Sequence, residues 1–558
     1  MIYHYRVLRL LTGTLLLTLG LSACQYRETV RPTLEPATPS KPTYSLPPGT
    51  QPFVYQVPAA QSPWPDYNES RIGSRVIGQA SVQQSAALQI EVRKDYGGSI
   101  QIYDRVTKQN LINFLDLGRE SGMSSYGGPR SFADDSPRWK GIGYNPLQAG
   151  DDGHNPAPIL FYGSIDGWIY TKAQCLSWAH RDARKLPFFY EQWVRVDDNK
   201  VHVHVRLTHE RPDKTFYPPE SQEWPMLMVN GTRRVHFYNG SAPFTHNPAT
   251  VTDGIESTGT NGSYVLHQGT PFGLTEPWLG ADIGTMPAGS VQAGQPRLLG
   301  LYCPGFFKGN YNMAAISALD NWEGGDTHTY LANQPIIHLD SDNTWYKSYS
   351  YIVGSEREVR DYVYAQERFP KPDFMFNTFN GRNDWVIVDG GYDQKEPFVT
   401  NNWRVTFTGK TENGPGGAPQ INARGSQLKS PYGSWPANGF SDVYIRMAYW
   451  GPPGTAARMP LELVWLLNGQ EPEGIDEKYP NQNRVRFARG VRKASEQTVP
   501  LVVTNDGRMH TYKISFANKP MWKDIIQQFE IKHEFTPSFI PPGEVLEINY
   551  FGTRNPGN

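Results

Sequence analysis

Apolar and polar residues alternate along most of this chain, and turn dipeptides punctuate the alternation. Ala87-Leu88-Gln89-Ile90-Glu91-Val92 and Ser99-Ile100-Gln101-Ile102-Tyr103 flank Gly97-Gly98. Trp193-Val194-Arg195-Val196 leads through Asp197-Asp198-Asn199 into an alternating run from Val201 to Leu207, the pattern of a hairpin. Asp166-Gly167, Asn230-Gly231, Asn239-Gly240, Asp253-Gly254 and Asn261-Gly262 supply the positive backbone angles that tight hairpin turns need. A period of two puts one side chain in the core and the next outside it, so such a chain folds into stacked antiparallel sheets.

The clearest helical pattern runs from Ser355 to Glu367, with a capping box at Ser355 and Glu358 and with Val359, Tyr362 and Val363 on one face. Phe369-Pro370-Lys371-Pro372-Asp373 then breaks it and marks a boundary. With 558 residues the chain exceeds one ordinary core. The expected division is a first folded domain over 67–368 and a second over 369–558. Formal charge is −1, so the chain as a whole carries no electrostatic footprint for nucleic acid.

The N-terminus reads differently. Arg6 and Arg9 precede the apolar run LLTGTLLLTLGL, which is short for a bilayer span, and the run ends in Leu21-Ser22-Ala23-Cys24. This resembles the lipobox of bacterial lipoproteins, which implies cleavage after residue 23 and lipidation of Cys24. Loss of Arg6 and Arg9 would leave about −3 on the mature chain. Residues 24–66 are rich in Pro, Ser, Thr and Gln and suit an extended tether. The expected location is the bacterial cell envelope, periplasmic or outer-surface facing, with the membrane as a partner through the lipid. Cys175 and Cys303 remain, and their spacing does not establish a disulfide.

From Ile112 to Asn155 the chain reads INFLDLGRESGMSSYGGPRSFADDSPRWKGIGYNPLQAGDDGHN, with neither period sustained. Long irregular segments in compact domains are often functional. This one mixes rings with amides, carboxylates and guanidinium groups, which suits sugar faces and hydroxyls. The opening GGSIQIYDRVTKQNLIN, the DLGR that follows, this loop, the many strands and the closing YSYIVGSEREVRDYVY together resemble the β-supersandwich of galactose-mutarotase-like carbohydrate proteins. The resemblance implies a sugar in a concave face; no catalytic signature matches residue for residue.

Several residues are candidates for the chemistry. Glu220 and Glu223 lie in PPESQEWPM, read as a Pro-flanked segment between strands, with Trp224 adjacent to lift a carboxyl pKa toward proton donation. Asp151 or Asp152 is the candidate second carboxylate, since glycosidic hydrolysis takes two. His154 and His180, in polar segments read as loops, are candidates for a base or a hydroxyl ligand. Arg119, Tyr126, Trp139, Asn145, Gln148, His180 and Trp224 are the expected substrate contacts. Arg119, Tyr126 and Asn145 also leave β-elimination open, with a uronate carboxylate neutralised and a tyrosine moving the proton. Each of these residues is also ordinary in a structured loop. His202 and His204 share one strand face but lack a clear third ligand, so they read as the polar face of the hairpin and no metal site is expected.

After residue 369 strands return at 385–388, 403–407, 442–450 and 461–465. The ending TNDGRMHTYKISF, PMWKDII and EVLEINYF resembles carbohydrate-binding-module-like jelly rolls, whose aromatic platforms bind glycan. Trp435 reads as the exposed ring, Trp450 as a candidate and Trp465 as core. Asp340-Ser341-Asp342-Asn343 is too short for a calcium loop, and no cofactor is expected. The fold class is therefore all-β, a large antiparallel supersandwich followed by a jelly roll. The leading function is polysaccharide hydrolysis by an envelope lipoprotein, with a lyase or a non-catalytic glycan binder as alternatives. The anchor is directly testable: Cys24→Ser should move the protein from the membrane to the soluble fraction and abolish palmitate incorporation, and unchanged labelling would refute the lipobox.

Overall fold

The computed structural model describes residues 80–557 except 114–116, 119, 211–218, 231–233, 253–264, 269–271, 306–307, 317–325, 340–342, 367–370, 378–381, 389–391, 394–401, 408–411, 414–418, 421–426, 452–456, 469, 472–489, 492–495 and 534–543. Cys24, the signal segment, the tether, Arg119, most of the short acidic turn at 340–343 and the turns at 253–254 and 261–262 lie outside the described residues.

The protein is all-β, built from open antiparallel sheets. A 16-stranded sheet dominates the N-terminal part. Through its middle run Pro296–Tyr302, Asn343–Ser355, Lys200–His209, Lys185–Asp197, Trp168–Ser177, Pro146–Leu147, Ser121–Ser124, Glu223–Asn230 and Asp326–Asn333, each paired to the next. The hairpin expected around Asp197–Asn199 is present, with Val201 opposite Val196 and Val203 opposite Val194. At Asp166 and Gly167 both φ angles are positive, 47° and 80°, in the turn joining Ile159–Ile165 to Trp168–Ser177. Glycine bears the larger of these angles without strain.

A 4-stranded sheet, with Leu88–Arg93 and Ile100–Asp104 at its centre, covers the inner face of the large one. Leu88, Ile90, Val92, Ile100 and Ile102 meet Val194, Val201, Val203 and Tyr190 in one core. Asp104 bonds Arg297 of the large sheet at 2.8 Å, a buried pair that fixes the sheets laterally. The helix Glu356–Tyr364 has the expected capping box, and its Arg360 reaches buried Glu276 at 2.9 Å. Breaking one side of such a pair typically costs about 3–5 kcal/mol. Cys175 and Cys303 are both buried thiols. His202 and His204 are also buried, against Ser350 and Ser348, rather than forming a solvated hairpin face. Desolvation by burial drops both imidazoles well below the usual histidine range.

The C-terminal part is a second sandwich of two six-stranded sheets. Trp403–Phe407, Val545–Gly552 and Asp442–Trp450 lie side by side in one, and Ile525–His533 with Arg458–Leu467 centre the other. Their inner faces bring Trp403, Val405, Ile445, Met447, Leu463, Trp465, Phe529 and Ile548 into a core of their own. Side-chain amides and a hydroxyl join the two sandwiches: Gln527 donates to Leu274 O, Asn468 to Asn239 O and Ser434 to Thr275 O.

Trp465 is fully buried, as expected, and donates to Met521 O. Trp435 corrects the sequence reading: it is only 4% exposed and stacks on Phe529 at 5.4 Å. Its strand, Trp435–Pro436, pairs with Ile525–His533 and turns the ring inward. Trp465→Ala should destabilise the C-terminal sandwich by about 3–5 kcal/mol, read as a lower urea midpoint. Trp450→Ala, at a half-buried position, should cost markedly less, and equal losses would contradict this sorting of the tryptophans.

Candidate functional site

Three neighbouring strands of the large sheet, Ser121–Ser124, Glu223–Asn230 and Asp326–Asn333, have their apolar core on one face only. Leu227, Val229 and Leu331 join that core, while Met226 and Tyr330 turn the other way and cluster with Leu147, Ala332, Trp178 and Met228. This second face holds the candidate site. Glu220 and Glu223 are strand residues, not loop residues: Glu220–Ser221 pairs with Ile336–Ile337, and Glu223 pairs opposite Ser124. A register shift between Glu223 and Met226 lets the ladder admit the extra residue.

Glu223 is 9% exposed and accepts a hydrogen bond from the Tyr126 hydroxyl at 3.0 Å. Burial pushes its carboxyl above the ordinary range, and the hydroxyls of Tyr330, Tyr126 and Ser124 pull the other way. Burial and then the Glu223 charge hold the Tyr126 and Tyr330 hydroxyls well above the usual phenol range, so both stay neutral. Gln222 fixes Tyr126 through a reciprocal amide clamp: Tyr126 N donates to Gln222 Oε1 at 2.7 Å, and Gln222 Nε2 donates to Tyr126 O at 2.8 Å. Gln222 also donates to Glu220 O, while Glu220 itself is half-buried.

Trp224, expected beside the Glu223 carboxyl, is 0% exposed in the opposite core and donates to Ser125 Oγ at 2.9 Å. Successive residues of a strand face opposite sides, which separates the two. Tyr330, which no local sequence signal singles out, stands beside Glu223 instead and clusters with Met226 and Met228. Trp178 belongs to the same cluster and meets Trp139 at 6.1 Å, with the Arg138 guanidinium 5.8 Å from the Trp139 ring. A Cβ on Gly118 would stand 2.6 Å from Trp178 Cη2, so only glycine lets this ring close down.

Asn145 is buried and donates to Ser124 Oγ and Ser125 O. Gln148 is buried on Gly97 O. Asp151 is buried with both oxygens engaged by the amides of Gly153, Asn155 and Ala183 and by the Asn155 side chain. It organises the loop. Asp152 is buried beside Arg138 at 2.8 Å, with Arg181 at 3.5 Å, and its backbone N–H bonds Trp178 O. Trp178 N in turn bonds Asn145 O, so a short chain of contacts links Asp152 to Ser124 and hence to Glu223. His154 is exposed at positive φ. His180 is buried, not in an open loop, bridging Ser177 Oγ at 2.7 Å and Asp135 Oδ1 at 2.9 Å. That hydrogen bond, with Arg184, brings the Asp135 carboxyl down to about 2. The serine–histidine–aspartate line is no nucleophile, because Ser177 is 0% exposed. Among the described residues, no group of three or more His, Cys, Asp or Glu side chains is placed to hold a metal ion.

No family model matches the chain, and no curated protein matches it. Solved structures similar to it include a galactose mutarotase related enzyme from Lactobacillus acidophilus, 10% identical over 50% of this chain and 97% of that one, with a TM-score of 0.25. A galactose mutarotase-like protein from Lactobacillus casei is 12% identical over 49% of this chain and 99% of its own, with a TM-score of 0.27. A mutant of heparan sulfate lyase HepC from Pedobacter heparinus is 9% identical over 60% and 42%, with a TM-score of 0.24. Likenesses this distant assign no reaction, which rests on the side chains.

Proposed function

We propose that the protein is a cell-envelope lipoprotein, tethered through Cys24, that cleaves glycosidic bonds of a polysaccharide by hydrolysis. One observation carries the reading: a buried carboxyl, Glu223, held between neutral tyrosines on the sheet face away from the core. A carboxyl whose pKa is raised by burial is suited to protonate a departing glycosidic oxygen. Tyr126 donates to Glu223 and so steadies the carboxylate left after proton transfer. Asp152 is the proposed second carboxylate, with its charge compensated by Arg138 and Arg181. Asp151 is left out because loop amides occupy both its oxygens. Trp139, Trp178 and Met228, all half-buried, offer apolar surface to sugar rings.

Elimination is the weaker reading on two counts. A tyrosine held above its ordinary pKa is a poor base at neutral pH, and the Asn145 amide already donates to Ser124 and Ser125.

Glu223→Gln should lower kcat by about 10²–10⁴-fold with little change in KM, measured as new reducing ends released from a polysaccharide panel. Wild-type release of reducing ends without ultraviolet absorbance from unsaturated products is the expected signature; full activity of the variant would overturn the assignment. The pH dependence has a defined sign. Activity should fall as pH rises through the raised Glu223 pKa, and Tyr126→Phe should move that limb to higher pH by removing a bond that favours the charged form. Stability follows the same sign, because a folded pKa above the unfolded one contributes stability at low pH that is lost as pH rises through the folded value. The melting temperature of Glu223→Gln relative to wild type should therefore climb with pH, and a flat difference would contradict the shift.

A further inference from the structure

A cleft of about 570 Å³ opens on the C-terminal sandwich, far along the chain from Glu223 and lined by Arg404, Ala448, Trp450, Asn505, Asp506 and Glu547 among others. It is the outer face of the sheet whose inner face carries Trp403, Val405, Ile445, Met447 and Ile548. Arg404 and Ala448 both pair opposite Glu547, one from each side, so these three side chains form a row across three strands. The smallness of Ala448 leaves the floor hollow. The loop at Asn505–Gly507 makes one wall, held by Gly507 N on Tyr449 O and by Asn505 Oδ1 accepting from Gly451 N. Gly507 takes a φ of +69°, a conformation that suits glycine in this wall.

The polar groups are pre-set. Arg404 donates to Glu547 Oε2 through Nε at 3.1 Å and Nη2 at 2.9 Å, while Asn402 donates to Glu547 Oε1 at 2.7 Å. The guanidinium lies 5.3 Å from the ring centre of half-buried Trp450. A flat ring beside fixed donors and acceptors, in a hollow within the size range of small-ligand sites, is a surface for a sugar ring: apolar face on the indole, hydroxyls on the polar row. The charges narrow the choice further. Glu547 neutralises Arg404, and Asp506 faces the cleft paired with His510 at 2.9 Å, so no surplus positive charge awaits an anionic polymer.

We propose that this cleft binds a segment of an uncharged glycan chain, with Trp450 as the platform and the Arg404–Glu547 pair as the hydroxyl-reading edge. The site is separate from Glu223; only the suggestion that both act on one polymer rests on the glycan-cleaving reading above. A neutral polymer also fits hydrolysis, since elimination requires a uronate.

The test is calorimetric titration of the full chain in detergent, carrying Glu223→Gln to prevent turnover. The probes are cellohexaose, xylohexaose, mannohexaose and maltohexaose, with oligogalacturonate as the anionic arm. At least one neutral hexasaccharide should bind, oligogalacturonate should not, and Trp450→Ala should weaken binding about five- to ten-fold while Trp450→Phe restores most of it. Met509→Trp, at a half-buried position lining the cleft, should block binding without lowering the melting temperature. Binding of none of the neutral probes, preference for oligogalacturonate, or indifference to both Trp450→Ala and Met509→Trp would overturn the proposal. A chain that binds through Trp450 but, with Glu223 restored, releases no reducing ends would leave the cleft standing and remove the cleavage reading instead.

Discussion

A strand has two faces, and this protein uses both. Wherever one face of the large sheet must fill the core, the residues between are turned to the other side, and an irregularity such as the register shift between Glu223 and Met226 resets which residues those are. Glu223 and Trp224 show the consequence at its sharpest. The tryptophan is committed to the core with Trp345, and the carboxyl is thereby delivered to the opposite face, where Tyr126 meets it. The same rule in the second sandwich sends Trp403 and Val405 inward and sets Arg404 on the outer row with Glu547. Glu223 and the Arg404–Glu547 pair are thus by-products of core formation, placed on strands.

Desolvation is what makes the first site chemically distinct. A carboxyl in water keeps its ordinary pKa, whereas burial raises that of Glu223. Three hydroxyls oppose that effect, and burial outweighs them. The Gln222 clamp matters for the same reason: it holds the Tyr126 backbone so that the hydroxyl stays on Glu223. In the second site the charges are instead satisfied by one another, which leaves a neutral and pre-organised surface.

Much of this was legible in the sequence. Period-two runs and Asp-Gly turns foretold the hairpins, and Ser355 with Glu358 foretold the helix cap. Glu223 and Tyr126 both stand out as candidates in the sequence. Other features resisted. Asp151 and Gln148 sit in a stretch without period and His180 in a separate polar segment, so their burial depends on long-range partners such as Ala183, Gly97 and Asp135. Prolines at 218 and 219 made Glu220 and Glu223 read as loop residues, yet pairing with Ile336–Ile337 and Ser124 makes both strands. Trp435 sits between a Gly-Ser pair and a proline, a turn-like context that hides a ring stacked on Phe529. Tyr330 gave no local signal at all, because its role comes from the strand across from it.

The central claim is that the fold raises the Glu223 carboxyl pKa above its ordinary value. Carboxyl-carbon NMR of the folded protein, with Glu223 assigned by its absence in Glu223→Gln, measures this without reference to any substrate. The account predicts a titration midpoint clearly above the ordinary glutamate value of about 4.3. A midpoint at or below that value would mean that the tyrosine hydroxyls outweigh burial, and Glu223 would then be a fixed anion and no proton donor.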